Sequence, residues 1–298
     1  MSNSFVLWMK EFFIWRGELR LKISFIGAGA IAEALLVGLL SKQQVKSSDV
    51  SFINRSNINR LQYLTDHYQL PSIAEQKKKI LDADILVLAV KPQVANEMLE
   101  EWGPKFTPKN QIISVIAGVT TSHIESYLHE EIPVIRSMPN TSSTIGMSAT
   151  AITAGQYATT VNLEIAENIF RSVGSVVTLE EHLMDAVTGL SGSGPAYFYL
   201  MVEGLELAAQ KVGLPREVSR QLILQTLIGA SHMLLETDKK PETLRQEITS
   251  EGGTTAAGIK VMNDYKFIEG LEKTIKAATN RSVEMGEIVC SKNKYNIQ

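Results

Sequence analysis

Apolar positions along this chain fall into two regimes. Up to about residue 180, short apolar runs rich in branched residues alternate with stretches of helical spacing. Residues 21–26 read as a buried strand running into a glycine turn. Ile31, Leu35, Leu36, Leu39 and Leu40 then recur at helical spacing across 29–41. Further strands are expected at 50–53, 84–90, 111–116 and 132–138, with helices at 57–68 and 93–102 in the gaps. A helix near 157–172 and a strand near 174–178 close the unit. Such alternation gives a parallel sheet with helices on both faces, a doubly wound α/β domain over residues 21–181.

From residue 182 onward the strand signal is gone. Leu, Ala and Met recur at helical spacing over 182–190, 193–212 and 215–236, with Gly213 and Pro215 marking a break. A shorter helix near 241–247 leads into a hydroxyl- and glycine-rich turn, and two more helices follow to about residue 290. The second domain, 182–298, is expected to be all-helical.

The first twenty residues fit neither regime. Phe5, Trp8, Phe12, Phe13 and Trp15 crowd a stretch without a polar period or a cap. The run is too short to span a bilayer, and no small-residue cleavage site follows it. A surface-anchoring helix is one reading, although its polar face is thin. The other is a mis-assigned start: Arg16-Gly17-Glu18 can be encoded by a purine-rich run resembling a ribosome-binding site, and Leu21 by a leucine-type start codon.

Composition removes several classes of function. The chain has 298 residues, 44% of them hydrophobic and 20% charged, with a formal net charge of −3. Lys77-Lys78-Lys79 is the only like-charge triplet and reads as a solvated helix face, so no nucleic-acid partner is expected. No membrane partner is expected either. The single cysteine, Cys290, excludes a disulfide framework and a cysteine-cluster zinc site, and the chain reads as cytoplasmic. His67, His123, His129, His182 and His232 lack ligand spacing, so no metal is expected.

Two glycine turns carry the candidate chemistry. Gly27-Ala28-Gly29-Ala30-Ile31-Ala32 follows a strand and opens a helix, the context in which a G-x-G-x-x-A motif suits a dinucleotide. The first glycine allows the tight turn, the second lets backbone approach a pyrophosphate, and Ala32 is small enough for close helix–strand packing. An NAD site normally carries an acidic residue at the tip of the second strand. Here that tip reads Asn54-Arg55-Ser56. Arg55 can pair with a 2′-phosphate and its neighbours can hydrogen-bond it, so NADPH is expected, with NADH accepted at lower preference. The alternative is that Arg55 only caps a surface loop. Ala89-Val90-Lys91-Pro92 ends the strand at 84–90 on the cofactor edge, where Lys91 reads as positional rather than catalytic. Asn140, after Met138-Pro139, is placed to reach the nicotinamide carboxamide.

The second turn, 249–258, reads Thr-Ser-Glu-Gly-Gly-Thr-Thr-Ala-Ala-Gly. It presents backbone N–H groups and several alcohols at a helix start, which suits the carboxylate of a small molecule. A nucleotide loop and a small-anion loop in one chain point to redox chemistry. A third glycine series, Gly189-Leu-Ser-Gly192-Ser-Gly194, is comparable to one in 3-hydroxyacid and 6-phosphogluconate dehydrogenases, where a catalytic lysine and an asparagine follow. The matching positions here are Phe198 and Val202, so no base is available to deprotonate an alcohol.

With these residues in view, the chain resembles the pyrroline-5-carboxylate reductases. The resemblance rests on the Gly27–Ala32 loop, Ala89 to Pro92, Met138 to Thr141, Leu190-Ser-Gly-Ser-Gly-Pro-Ala-Tyr197, Gly252-Gly253-Thr254-Thr255 and Arg281-Ser282, and covers residue 21 to about 285. It implies NAD(P)H-dependent reduction of a cyclic imine to L-proline, the last step of proline synthesis. It also implies a homodimer interleaved through the helical dimerisation domain, or a ring of such dimers. Carried over by motif, Ser250, Gly252, Gly253 and Thr254 hold the substrate carboxylate. The Thr255 hydroxyl hydrogen-bonds the ring nitrogen and relays its proton. The chain departs from the family pattern at Glu251 and Ser142, where prolines are usual, and at Glu247, often an asparagine near the cofactor. Two rivals stay open: a reductase of another imine or acid on the same fold, and a non-enzymatic NADP-binding regulator. Ser250 and Thr255 argue against the second.

Overall fold

The structure, a computed structural model, describes residues 21–291; the aromatic segment discussed above lies outside them. Contacts divide the described chain into two compact units. One runs to Ser193 and resumes at Ala278; the other is Gly194–Ala277.

The first unit is built on a sheet of seven strands: β1 (Ile23–Ile26), β2 (Val50–Ile53), β3 (Ile85–Leu88), β4 (Gln111–Ser114), β5 (Val134–Met138), β6 (Ser148–Ala154) and β7 (Gly174–Thr178). Their order is β2-β1-β3-β4-β5-β6-β7. The first five are parallel, β6 runs antiparallel to β5, and β7 pairs parallel with β6. The doubly wound α/β class stands. The wholly parallel sheet expected from the pattern is corrected at β6, which the sequence did not announce. Its residues, Ser-Ala-Thr-Ala-Ile-Thr-Ala, are small or hydroxylic and show no apolar run.

Strand β3 is a continuous apolar run, Ile-Leu-Val-Leu, for a reason visible in its two faces. Ile85 and Val87 join the core on one face of the sheet, with Phe25, Phe52, Leu35 and Phe170. Leu86 and Leu88 join the core on the other, with Leu99, Ile112, Ile124 and Val289. With both faces covered, no position of the strand is left for a polar residue. Phe25 and Phe52 stack at 4.5 Å between ring centres.

Helices α1 (Ala30–Ser41), α2 (Ile58–Tyr68), α3 (Ile73–Lys79), α4 (Ala95–Trp102), α5 (Thr121–Glu125) and α6 (Thr160–Arg171) surround the sheet. Helix α3 carries Lys77-Lys78-Lys79 in its last turn, where cations favour the helix end. It starts on a Ser72/Glu75 capping box. Its buried Gln76 accepts a hydrogen bond from the Phe52 N–H at 2.7 Å, satisfying a donor of the edge strand β2. A short helical stretch, α7 (Met184–Val187) continued by the π-turn Thr188–Gly192, packs within this unit.

His123 on α5 is buried, and its Nε2 lies 2.8 Å from Asn96 Oδ1. Asn96 Nδ2 donates to the Val289 carbonyl at 2.7 Å, so the imidazole helps to seat the C-terminal helix. Because the amide oxygen only accepts, the network assigns the proton to Nε2. Burial holds the His123 pKa below its ordinary 6.5. The folded state therefore binds fewer protons than the unfolded one, and stability rises with pH. That contribution is complete above 6.5 and is lost as pH falls through the lowered folded value. Burial raises Glu125 on the same helix, an opposite trend, so the readout is a difference between proteins. Wild type should lose more Tm than His123→Gln between about pH 7.5 and 5.5; an equal loss in thermal melts would remove His123 from the account.

The second unit contains α8 (Gly194–Lys211), α9 (Arg216–Glu236), α10 (Pro241–Glu247), α11 (Thr254–Asp264) and the first part of α12 (Phe267–Ser291). Helices α8 and α9 are linked by Arg220 donating to Glu206 at 3.1 Å. This unit has almost no apolar interior. Its buried residues are Gly194, Glu206 and Ser219, while Leu200 is 68% exposed and Leu235 80%. Helices this apolar without a core are half of an interface.

Candidate functional site

The glycine turn after β1 is fixed by contact with the end of β3. Gly27 has φ +113°, and a Cβ there would stand 2.3 Å from the Ala89 carbonyl oxygen. The Gly27 N–H is bonded to Ile53 O at 2.9 Å, and the Ala89 N–H to Ile26 O at 2.9 Å. Backbone from β1, β2 and β3 thus meets at one point, on the carboxyl side of the strands where the order reverses, the usual dinucleotide crevice.

Gly29 is the N-cap of α1, and no side chain caps that end. A Cβ on Gly29 would meet nothing within 4 Å. The first-turn N–H groups of Ala30, Ile31 and Ala32 have no intrahelical acceptor, and a helix end of this kind suits a pyrophosphate. Ala32 is fully buried, Ala28 is buried and Ala30 exposed. Behind the turn, Arg60 Nε donates to Ala28 O at 3.0 Å and its guanidinium pairs with Glu33. Burial alone would raise the Glu33 carboxyl, but hydrogen bonds from Arg60 and Tyr68 outweigh it and hold the pKa below the ordinary range. Burial and the same Glu33 contact push the Tyr68 hydroxyl up to about 12.

At the tip of β2, Asn54 Oδ1 accepts from the Ser56 N–H at 3.4 Å. Arg55 is exposed and hydrogen-bonds Glu97 of α4. Ala89 and Val90 are half-buried, and Lys91 is exposed as the N-cap of a short turn begun by Pro92. Asn140 is buried. Its Nδ2 donates to Ser191 O at 3.1 Å and its Oδ1 accepts from the Ser142 N–H at 3.1 Å. The residue expected at the nicotinamide therefore also ties the loop after β5 to the π-turn, and its second N–H is what a carboxamide would use.

The hydroxyl-rich turn belongs to the other unit and is regular in itself. Gly252 has φ +71°, a left-handed position that favours glycine. Gly253 is the N-cap of α11, again without a side-chain cap. The first-turn N–H groups of Thr254, Thr255 and Ala256 are left facing out of the helix end. The Gly253 N–H bonds the Ser250 carbonyl at 3.0 Å, so Gly253 shapes the turn rather than donating outward. A Cβ on Gly253 would also strike Ser250 Oγ, at 2.6 Å. Ser250 and Thr254 are exposed and Thr255 is half-buried. Glu251 is exposed, and Glu247 is held by Lys239 at 2.7 Å.

Sequence reasoning missed Glu97 and a buried ion cluster. Arg136 on β5 pairs with Asp185 at 3.0 Å and Glu181 at 3.5 Å. Thr121 donates to Glu181 through its N–H and hydroxyl, and Ser282 donates to Asp185 at 2.7 Å. Arg136 was detectable: a cation inside the otherwise apolar strand Val-Ile-Arg-Ser-Met is out of pattern. Burial pushes the Cys290 thiol up, which disfavours the thiolate. Among the described residues no helix is long and apolar enough to cross a membrane.

A doubly wound domain with an uncapped glycine turn at its strand reversal, joined to a helical unit without a core, defines an oligomeric dinucleotide-dependent oxidoreductase. Residues 22–118 match the family model for NADP oxidoreductase, coenzyme F420-dependent, and residues 181–285 match that for pyrroline-5-carboxylate reductase dimerisation. Pyrroline-5-carboxylate reductase 1 of Bacillus subtilis (strain 168) is 42% identical over 266 residues, which cover 89% of this chain and 90% of the relative. A pyrroline-5-carboxylate reductase of Coxiella burnetii superposes with a TM-score of 0.80 at 35% identity, covering 89% of this chain and 98% of its own. A Plasmodium falciparum pyrroline carboxylate reductase with NADP bound gives a TM-score of 0.79 at 28% identity, covering 91% of this chain and 100% of its own. The chain belongs to the pyrroline-5-carboxylate reductase family.

Proposed function

We propose that this protein reduces 1-pyrroline-5-carboxylate to L-proline with NADPH, as a cytosolic homodimer or ring of dimers. The observation that carries the reading is the pair of uncapped, glycine-led helix starts, one at Gly29 and one at Gly253. The first suits a pyrophosphate held by the N–H groups of Ala30, Ile31 and Ala32, with Gly27 and Ala89 setting the turn. Asn54, Arg55 and Ser56 are assigned to the 2′-phosphate, and Val90, Lys91, Pro92 and Asn140 to the nicotinamide half. The open space at Gly29 fits that cofactor. When bound, NADPH supplies a hydride.

The second turn holds the substrate. The N–H groups of Gly252, Thr254 and Thr255 and the Ser250 hydroxyl receive the carboxylate. Each hydrogen bond to a charged group contributes about 1.5–3 kcal/mol, and the helix end adds about 0.3–1 kcal/mol. With the acid group fixed there, the C=N bond has one orientation. The Thr255 hydroxyl would donate to the ring nitrogen and relay a proton to it, taking one from water in exchange, as the imine carbon receives the hydride. A protonated C=N accepts hydride readily, so no lysine base is needed at Phe198. The apolar surface on α8 and α9 is assigned to a second copy of the chain.

NADPH oxidation by the purified protein tests this directly. Turnover with pyrroline-5-carboxylate should exceed that with the six-membered piperideine analogue, and hydroxy acids should give none with NADP. Protein that binds NADPH and never consumes it with the five-membered imine would overturn the assignment.

A further inference from the structure

We propose that Glu97 sets the choice between NADPH and NADH by restraining Arg55, a proposal that rests on the cofactor reading above. In the sheet, β2 and β3 lie on either side of β1. Arg55 leaves the tip of β2, and Glu97 stands on α4, which follows β3. Their ion pair therefore crosses above the end of β1, from which the dinucleotide turn Gly27–Ala32 emerges. Of the two arginines that follow β2, Arg60 is committed to Glu33 and the Ala28 carbonyl, which leaves Arg55 as the one able to turn to a ligand.

The chemistry of the two cofactors differs at this place alone. A 2′-phosphate has to draw Arg55 off Glu97 and then bear the carboxylate beside it, a like-charge contact. A 2′-hydroxyl makes neither demand, and a carboxylate is its ordinary partner at the tip of β2, where this chain has Asn54. Glu97 thus works against NADPH and is neutral toward NADH. The pair is a weak barrier rather than a lock. Its side chains are 77% and 60% exposed, and pairs in that setting are readily exchanged. Selectivity set this way depends on ionic strength, because exposed charges are screened by salt.

The test is steady-state kinetics with NADPH and NADH at low and high salt, on wild type, Glu97→Gln, Arg55→Ala and the double variant. Glutamine keeps the shape and removes the charge. Glu97→Gln should lower KM for NADPH about threefold or more at low salt and less at high salt, with little change for NADH. Arg55→Ala should raise KM for NADPH, and in its background Glu97→Gln should have a smaller effect than alone. An unchanged NADPH-to-NADH ratio in Glu97→Gln, with Arg55→Ala impaired for NADPH, overturns the proposal and leaves the cofactor reading intact. If Arg55→Ala leaves NADPH kinetics unaltered, the 2′-phosphate is bound elsewhere and both fail.

Discussion

Thr255→Val lowers kcat by about 100-fold, the ordinary loss when a positioned proton donor is removed. Valine has the shape of threonine, and Thr255 is half-buried at the second position of α11, where the N–H it contributes is unchanged. Helix α11 starts on Gly253 with no side-chain cap, so the Thr255 hydroxyl is not what holds the helix end. The variant therefore isolates the hydroxyl from the fold. Carboxylate binding through the turn persists, and KM for NADPH moves by less than about twofold, because the cofactor is assigned to the separate turn at Gly27–Ala32. Steady-state kinetics with the cyclic imine, with a thermal melt as control, separates these terms. An unaltered kcat would take Thr255 out of the mechanism and leave the proton to solvent.

The turn that carries this residue stands out in the sequence because its pattern is local, two glycines and four hydroxyls within a few positions of a helix start. The role of Thr255 itself is implied by the family resemblance. The Gly27 turn was legible for the same reason, and its structural cause is equally local, a backbone oxygen where a Cβ would be. The strand β3 could be read from Ile-Leu-Val-Leu, a continuous apolar run suited to a strand covered on both faces. Strand β6 could not, because Ser148, Thr150 and Thr153 are buried by their pairing with neighbours, which no local pattern encodes. Helix α3 was read only as a solvated face at Lys77-Lys78-Lys79, although Ser72 and Glu75 carry a capping signature that marks its start. Long-range charge pairing was out of reach: Arg55 and Glu97 are 42 positions apart and no local pattern links them. Contacts carry the first unit past the expected limit at 181/182, while the dimerisation family match begins at residue 181. Glu181 and Asp185 are bound to Arg136 of the sheet, so the first turns after β7 pack with the first unit, and so does the chain from Ala278. Ser282, read only as part of a family motif, is a buried donor to Asp185.

Arg136→Ala should cost about 3–5 kcal/mol of stability, the range seen when one partner of a buried ion pair is removed. The guanidinium is 3% exposed and is the cation between two carboxylates, Asp185 and Glu181. Its loss leaves the two half-buried acids without a cation, with only hydroxyl and N–H donors from Thr121 and Ser282. The damage should follow the contacts. Asp185 lies in the first turn of the helical stretch whose Ser191 carbonyl holds Asn140, and through Ser282 it holds the C-terminal helix, whose Gly286 lies against Gly118. Hydrogen exchange should accelerate first in 184–192 and 278–291, with the β1–β3 pairing protected longer. Neutralising the site as a whole separates charge from packing. Arg136→Met combined with Asp185→Asn and Glu181→Gln should recover most of the loss, because matched apolar and amide groups replace unpaired ions. If the triple variant melts no higher than Arg136→Met alone, the cluster acts through its shape rather than its charge, and the electrostatic account of this junction fails.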